Sequence, residues 1–339
     1  MNLNTVTQVD PAIATFYDRV LLRRGTPFLV HDRFAQTRGI KTRSGNQIKF
    51  RRYGSLAANT TPLVEGVTPS GKTVTKTDIT ATLKGYGDYI RFSDFVSLVN
   101  QDAILTEFNE ILGEQSGESL DLIFRDIYVA GTNVYYAGSY ADASIDTRVE
   151  VNTAPTASDF KKIRETMIGN KAKMIAPVVK ASSNVGTMPV APAFWVIVSH
   201  ELQNDLEDMS GWLPAHQYPN SMPAYAEEIG ALPDANMRFL ITQNGKVWRH
   251  TGGTTGAGTT YRSDDDTNVD VFAALVFGQN AVGKCPLDGN SMKSIVKAVG
   301  SSGAADPLDQ RGSAGWKAYT TGAILNDLFM IRGEFAATL

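Results

Sequence analysis

One cysteine in 339 residues, Cys285, leaves no partner for an internal disulfide. The chain is therefore expected to fold in a reducing compartment or without covalent staples. Long apolar runs are missing as well. The longest, Val271 to Phe277, has seven residues, against about 20 for a membrane helix. The first ten residues, MNLNTVTQVD, contain no basic residue and no apolar core, which argues against a secretory signal. Gly and Pro together make 44 of 339 residues and charged residues 20%, excluding the collagen-like and disordered classes. No single sign of charge dominates, the formal net being −3. A soluble intracellular product is expected. Folded as one body it would bury about three quarters of its unfolded surface, enough for one large or two modest domains.

The near-neutral total hides a split. Residues 1–60 carry ten Lys/Arg against Asp10, Asp18 and Asp32, a net of +7, while the rest carry 22 basic and 32 acidic groups, a net of −10. Such asymmetry reads as a basic arm facing nucleic acid or an acidic surface, such as another copy of the chain. The alternative places these cations singly on solvated faces. A dedicated nucleic-acid binder is expected to be basic overall, and this chain is not.

The order of elements predicts an α+β fold, since long helix, strands and mixed smaller elements follow without βαβ alternation. A short helix is read around Ile13 to Leu22, after Asp10-Pro11 as cap and first residue. Gln47 to Tyr53 alternates as a strand, and a Gly/Pro/Thr-rich stretch from Gly54 to Gly71 leads to a second. There Thr75, Thr77, Ile79, Ala81 and Leu83 share a face. Gly85 and Gly87 suggest a bulge before Tyr89 to Phe92. The result is a long two-stranded arm, marginal on its own in water and in need of a neighbouring surface. Asn100 is placed to cap a helix from Gln101 to about Val129, roughly 43 Å long. Its Gly113 and Gly117, one turn apart, are explained by close approach of another element or by simple tolerance. A helix from about Ser158 to Lys171, a buried strand Phe194 to Val198, and strands at Arg238 to Thr242, Lys246 to His250 and Val269 to Phe277 follow. Thr251 to Thr260 reads as a mobile loop.

Chemistry is sparse. Gly66 to Thr73 satisfies G-x-x-x-x-G-K-[ST], the phosphate-loop pattern. That loop works only where it enters a helix whose N-terminal amides face the phosphates, and here an alternating strand follows. His200-Glu201 begins like a zinc-protease helix, but Asn204 stands where the second His is required. Cys285 precedes Pro286 with no nearby His and reads as filler. Asp264, Asp265, Asp266 and Asp270 offer a cation a weak site, with a solvated turn as the plainer reading. No catalytic, cofactor-binding or metal residues are assigned, and no enzyme is expected.

The stretch Glu65 to Lys72 (EGVTPSGK) followed by Asp78 to Asp94 (DITATLKGYGDYIRFSD) resembles the major capsid proteins of tailed double-stranded DNA bacteriophages, and more narrowly the coat-protein family of short-tailed phages. Ile229 to Leu232 with Arg238-Phe239, Val271 to Gly283, and Ala305 to Gly312 with Gly315-Trp316-Lys317 and Leu325 to Glu334 extend the resemblance over nearly the whole chain. Weakest coverage lies at Ala181 to Pro192 and Thr251 to Asp266.

The resemblance implies the Hong Kong 97-type capsid fold. It places an N-terminal arm at 1–45, an extended β-ribbon loop at 46–95, and a peripheral domain at 96–179 with its spine helix at about 101–129. An axial domain would span 180–285, and residues 286–339 would return to the peripheral domain. It further implies a virion shell protein, present in the host cytoplasm during assembly, that forms hexamers and pentamers of an icosahedral head around double-stranded DNA. Implied partners are other copies, a separate scaffolding protein, a portal and a decoration protein, with at most non-specific contact with DNA and no membrane. Arg19, Arg23, Arg24, Glu65, Gly66, Lys72, Lys76 and Asp78 are the assembly-contact candidates. In the type member a Lys of this loop forms an isopeptide bond with an Asn. Lys72 and Lys76 lie in the corresponding region, but neither the Asn nor the catalytic Glu is identifiable, so no cross-link is expected. The alternatives are a nucleic-acid binder using the basic arm and, remotely, a phosphate-loop NTPase at 66–73.

Overall fold

A computed structural model describes residues 29–63, 65–95, 104–176, 191–218, 223–254, 256–288, 292–297, 299, 308 and 310–339. The expected helix at Ile13 to Leu22 and the expected cap at Asn100 lie outside these.

In chain order β1 (Gln36–Thr37), β2 (Gln47–Tyr53), β3 (Lys76–Thr82) and β4 (Lys84–Ser93) precede the long helix α1 (Ile104–Val129). Then come β5 (Val134–Tyr136) and α2 (Ala157–Gly169). Next are β6 (Phe194–Ser199), the short α3 (Gln203–Glu207), β7 (Leu213–Pro214), β8 (Glu228–Leu232), β9 (Met237–Thr242), β10 (Val247–Trp248) and β11 (Val271–Phe277). The chain closes with β12 (Val282–Lys284), β13 (Met292–Lys297), β14 (Arg311–Thr320), β15 (Gly322–Ile324) and β16 (Met330–Ala336).

The core is an eight-stranded mixed sheet in the order β5-β16-β11-β6-β9-β8-β7, with β10 also on β11. Strands β6 and β11 have no solvated face, which is why FWVIV and VFAALVF are continuous apolar runs instead of alternating ones. Phe194, Val196, Val198, Phe272, Ala274 and Val276 pack on one side with Phe160, Ile163 and Met167 of α2. Trp195, Ile197, Leu275 and Phe277 pack on the other with Phe124 and Tyr128 of α1 and with Val30 and Phe34. Helix α2 starts one residue before the expected Ser158, where Thr156 and Asp159 cap each other reciprocally.

Helix α1 lies on a second sheet, β13-β14-β4. Leu112 and Leu120 meet Ala314, Trp316 and Ala318 of β14. Gly113 and Gly117 are buried as well.

Three expectations need correcting. The arm does not continue past Leu83: β4 leaves β3 and pairs over its whole length with β14, from Ser93↔Arg311 to Lys84↔Thr320, without a register shift. Gly85 and Gly87 therefore mark no bulge. A Cβ on Gly87 would lie 2.5 Å from the Trp316 carbonyl oxygen, and one on Gly85 would meet the Tyr319 ring at 3.0 Å. These glycines admit a close neighbour. Second, the C-terminal segment divides. β14 packs on α1, whereas β16 pairs with β11 from Val271↔Ala336 to Phe277↔Met330, its MIRGEFA stretch buried at every position but Arg332. Third, the Gly/Thr-rich stretch after Thr251 is fastened: Gly252 N–H donates to Val269 O and Gly253 N–H to Val151 O, both at 2.9 Å.

Candidate assembly surfaces

Strands β2 and β3 pair from Gln47↔Thr82 to Tyr53↔Lys76 and, among the described residues, with no third strand. The ribbon is held at its base, where Phe50 and Ala81 are buried against Ile40, Cys285, Ala323 and Leu325. Beyond that base it is solvated. Tyr53, Leu56, Leu63, Val67 and Val74 are exposed, Leu63 to 76% and Val67 to 63%. Exposed apolar side chains concentrated in one segment make it a candidate interaction surface.

The candidate residues distribute along it. Asp78 accepts from Arg51 Nε at 2.9 Å and lies 3.4 Å from Lys76 Nζ. The hydrogen bond from Arg51 holds the Asp78 carboxyl below its usual range, and Arg51 is raised in turn. Lys72 Nζ donates to Ala57 O at 3.2 Å, tying the two sides of the tip. Glu65 and Gly66 form an exposed turn, Gly66 with φ +78°, a conformation glycine adopts without strain. Lys76 and Asp78 are thus brought together, while Lys72, Glu65 and Gly66 stand apart at the tip. Arg19, Arg23 and Arg24 lie outside the described residues. The next regular element after Thr73 is β3 at Lys76. Among the described residues no helix starts after Gly66 to Thr73 before β3, and the phosphate-loop reading is not supported.

The segment leading to β1 is fastened to the body by charge. Asp121, buried on α1, accepts from the backbone N–H of Val30 and His31 at 2.9 and 2.8 Å, and its Oδ2 lies 2.9 Å from His31 Nδ1. Burial pushes the Asp121 carboxyl up, but the His31 and backbone hydrogen bonds outweigh it and hold the group below its ordinary value. Arg33 donates to Glu227 from both terminal guanidinium nitrogens, and Lys284 Nζ reaches Asp32 at 2.7 Å. Further in, Glu334 is fully buried and takes Arg148 Nε at 2.6 Å and Arg332 Nε at 2.8 Å, with Arg148 stacked 3.7 Å over Trp248. Apart from Arg332 with Glu334, two residues away, none of these pairings is readable from spacing, since the partners lie 90 to 252 residues apart.

The remaining chemical candidates are structural. Cys285 is buried at the ribbon base, its thiol pushed up to about 11 by burial. Asp265 accepts from the N–H groups of Asn268 and Thr267, which hold it below the carboxylate range, and Asp264 pairs with Arg249. That segment is a capped turn. Among the described residues no group of three His, Cys, Asp or Glu is placed to hold a metal, and no helix is long and apolar enough to cross a membrane.

No protein-family model matches the chain, and no curated protein matches its sequence. Solved structures do. The capsid of Ralstonia phage GP4 superposes with a TM-score of 0.66 at 11% identity, covering 91% of this chain and 88% of that one. The head structure of Helicobacter pylori bacteriophage KHP40 gives 0.59 at 13% identity over 91% and 88%. The capsid of cyanophage Pam1 gives 0.58 at 12% identity over 93% and 92%. The chain has the fold of bacteriophage capsid proteins.

Proposed function

We propose that this chain is the major capsid protein of a tailed bacteriophage, assembling through hexamers and pentamers into the icosahedral shell that encloses the double-stranded DNA genome. The observation that carries this reading is the correspondence with several phage capsids over about nine tenths of both chains. The exposed ribbon supports it from physics: a two-stranded arm with apolar side chains in water gains stability when laid on an adjacent subunit. Within a Hong Kong 97-type layout, α1 and the β13-β14-β4 sheet are the peripheral part, the eight-stranded sheet the axial part, and β2–β3 the extended loop. Residues 1–45 form the arm, contributing Arg19, Arg23 and Arg24 to neighbour contacts alongside Glu65, Gly66, Lys72, Lys76 and Asp78. The role is structural, not enzymatic. A separate scaffolding protein directs assembly, with a portal and a decoration protein as further partners.

The test is gradient sedimentation of the full-length protein expressed with and without its scaffold. Fast-sedimenting particles are the expected result. A chain that stays in the monomer fractions under every condition contradicts the proposal.

A further inference from the structure

The β13-β14-β4 sheet has two unlike faces. One is closed by α1. The other forms an open concavity of about 900 Å³. Cross-strand register fixes what this face of the sheet presents, in the concavity and beside it, because paired residues point to the same side. Lys293 stands opposite Lys317, Ile295 opposite Gly315, and Lys297 opposite Ser313, which in turn faces Arg91; Arg311 ends the row. Lys293, Lys297, Lys317 and Arg91 are all exposed. Lys317 Nζ sits 4.9 Å from the centre of the Tyr319 ring, and Arg91 donates to Tyr89 Oη at 2.9 Å while stacking on that ring. Among the described residues the one carboxylate bordering the concavity, Asp88, is turned to the helix side, where it accepts from Gln115 Nε2 at 2.7 Å. Among the described residues, Arg91, Lys293, Lys297 and Lys317 make no ion pair with a carboxylate.

Directly opposed like charges such as Lys293 and Lys317 destabilise a sheet unless an anion lies between them. The charge balance of the chain says which anion. Residues 61–339 are net −10, so within that part of the chain a cation-lined sheet face stands out. The ribbon of a second copy is a poor occupant, since it carries Lys49, Arg51, Arg52, Lys72 and Lys76 against Glu65 and Asp78. The glycines on this face, Gly85, Gly87 and Gly315, keep it low, so a rigid rod can approach the row of cations. We infer that this sheet face is where the subunit touches the phosphate backbone of double-stranded DNA, without reading sequence. The inference rests on the capsid reading and adds to it the contact face.

The experiment measures binding of the soluble full-length chain to a random-sequence 30-base-pair DNA duplex by fluorescence anisotropy across a salt series. One variant combines Lys293→Gln, Lys297→Gln and Lys317→Gln. A charge-matched control combines Lys161→Gln, Lys162→Gln and Lys171→Gln on and beside α2. The face variant should lose about tenfold or more in affinity at low salt, and its slope of log affinity against log salt should fall by about three, one for each phosphate contact removed. The control should keep the wild-type slope. Equal losses in both variants, or an unchanged slope in the face variant, overturn the inference. So does a face variant that binds DNA normally but forms no particles, which would make this face a contact between copies. Particle formation by the wild type is scored separately, so failure of the capsid reading is distinguishable from failure of the DNA face.

Discussion

Asp121 shows how a single buried carboxylate can fix a long segment. It accepts from two backbone N–H groups and the His31 ring, joining residues 29–34 to the middle of α1. Asp121→Ala leaves those donors buried without a partner, and should cost about 3 kcal/mol, read as a lowered urea midpoint. Because the folded-state group titrates below its unfolded value, its contribution is complete above about pH 4 and is lost as pH falls through the depressed folded value. Thermal stability of the wild type should therefore drop more steeply below pH 4 than that of Asp121→Asn; identical pH profiles would remove Asp121 from this role. Gly87 carries a different constraint. With the Trp316 carbonyl oxygen 2.5 Å from where a Cβ would sit, Gly87→Val must push apart β4 and β14. A loss of roughly 1–3 kcal/mol in chemical denaturation is expected, and a wild-type midpoint would show that the strands part freely.

At the scale of elements, what the sequence made legible was local pattern. The apolar runs of β6 and β11, the periodicity of α1 and α2 and the alternation of β2 and β3 are all visible within a window of a few turns or strands. Pairing was not. Whether Tyr86 to Phe92 follows β3 or joins β14 depends on residues 84–93 meeting residues 311–320, and alternation is the same in either sheet. The glycines that read as a bulge are explained only by the aromatic rings and carbonyls opposite them. The cationic face was hidden for the same reason, since Arg91, Lys293 and Lys317 converge only through two strand registers. The ribbon itself was legible, with its tip rich in Gly, Pro and Thr. Exposed apolar side chains and a base held by Phe50 and Ala81 predict cleavage of the free subunit by a broad-specificity protease within residues 54–75. In assembled particles the same bonds should be cut at least about tenfold more slowly. Equal rates would mean that the ribbon finds no cover.

At the scale of the molecule, the charge split acquires a structural counterpart. Tethers by Arg33 and Asp32 anchor residues 29–40 to the body, so the preceding 28 residues, with Arg19, Arg23 and Arg24, enter from a fixed point. Deleting residues 1–25 should leave the folded body intact by circular dichroism while cutting particle yield several-fold. Unchanged yield would remove the arm from the assembly contacts. The account as a whole stands on one claim, that copies of this chain build a closed shell with the β2–β3 ribbon lying on a neighbour. Cryo-electron microscopy of the full-length protein expressed with its scaffold tests it most directly. The account predicts closed icosahedral particles whose subunits cluster in fives and sixes, each ribbon packed against an adjacent subunit. Isolated monomers, or particles whose ribbons project into solvent, would contradict it.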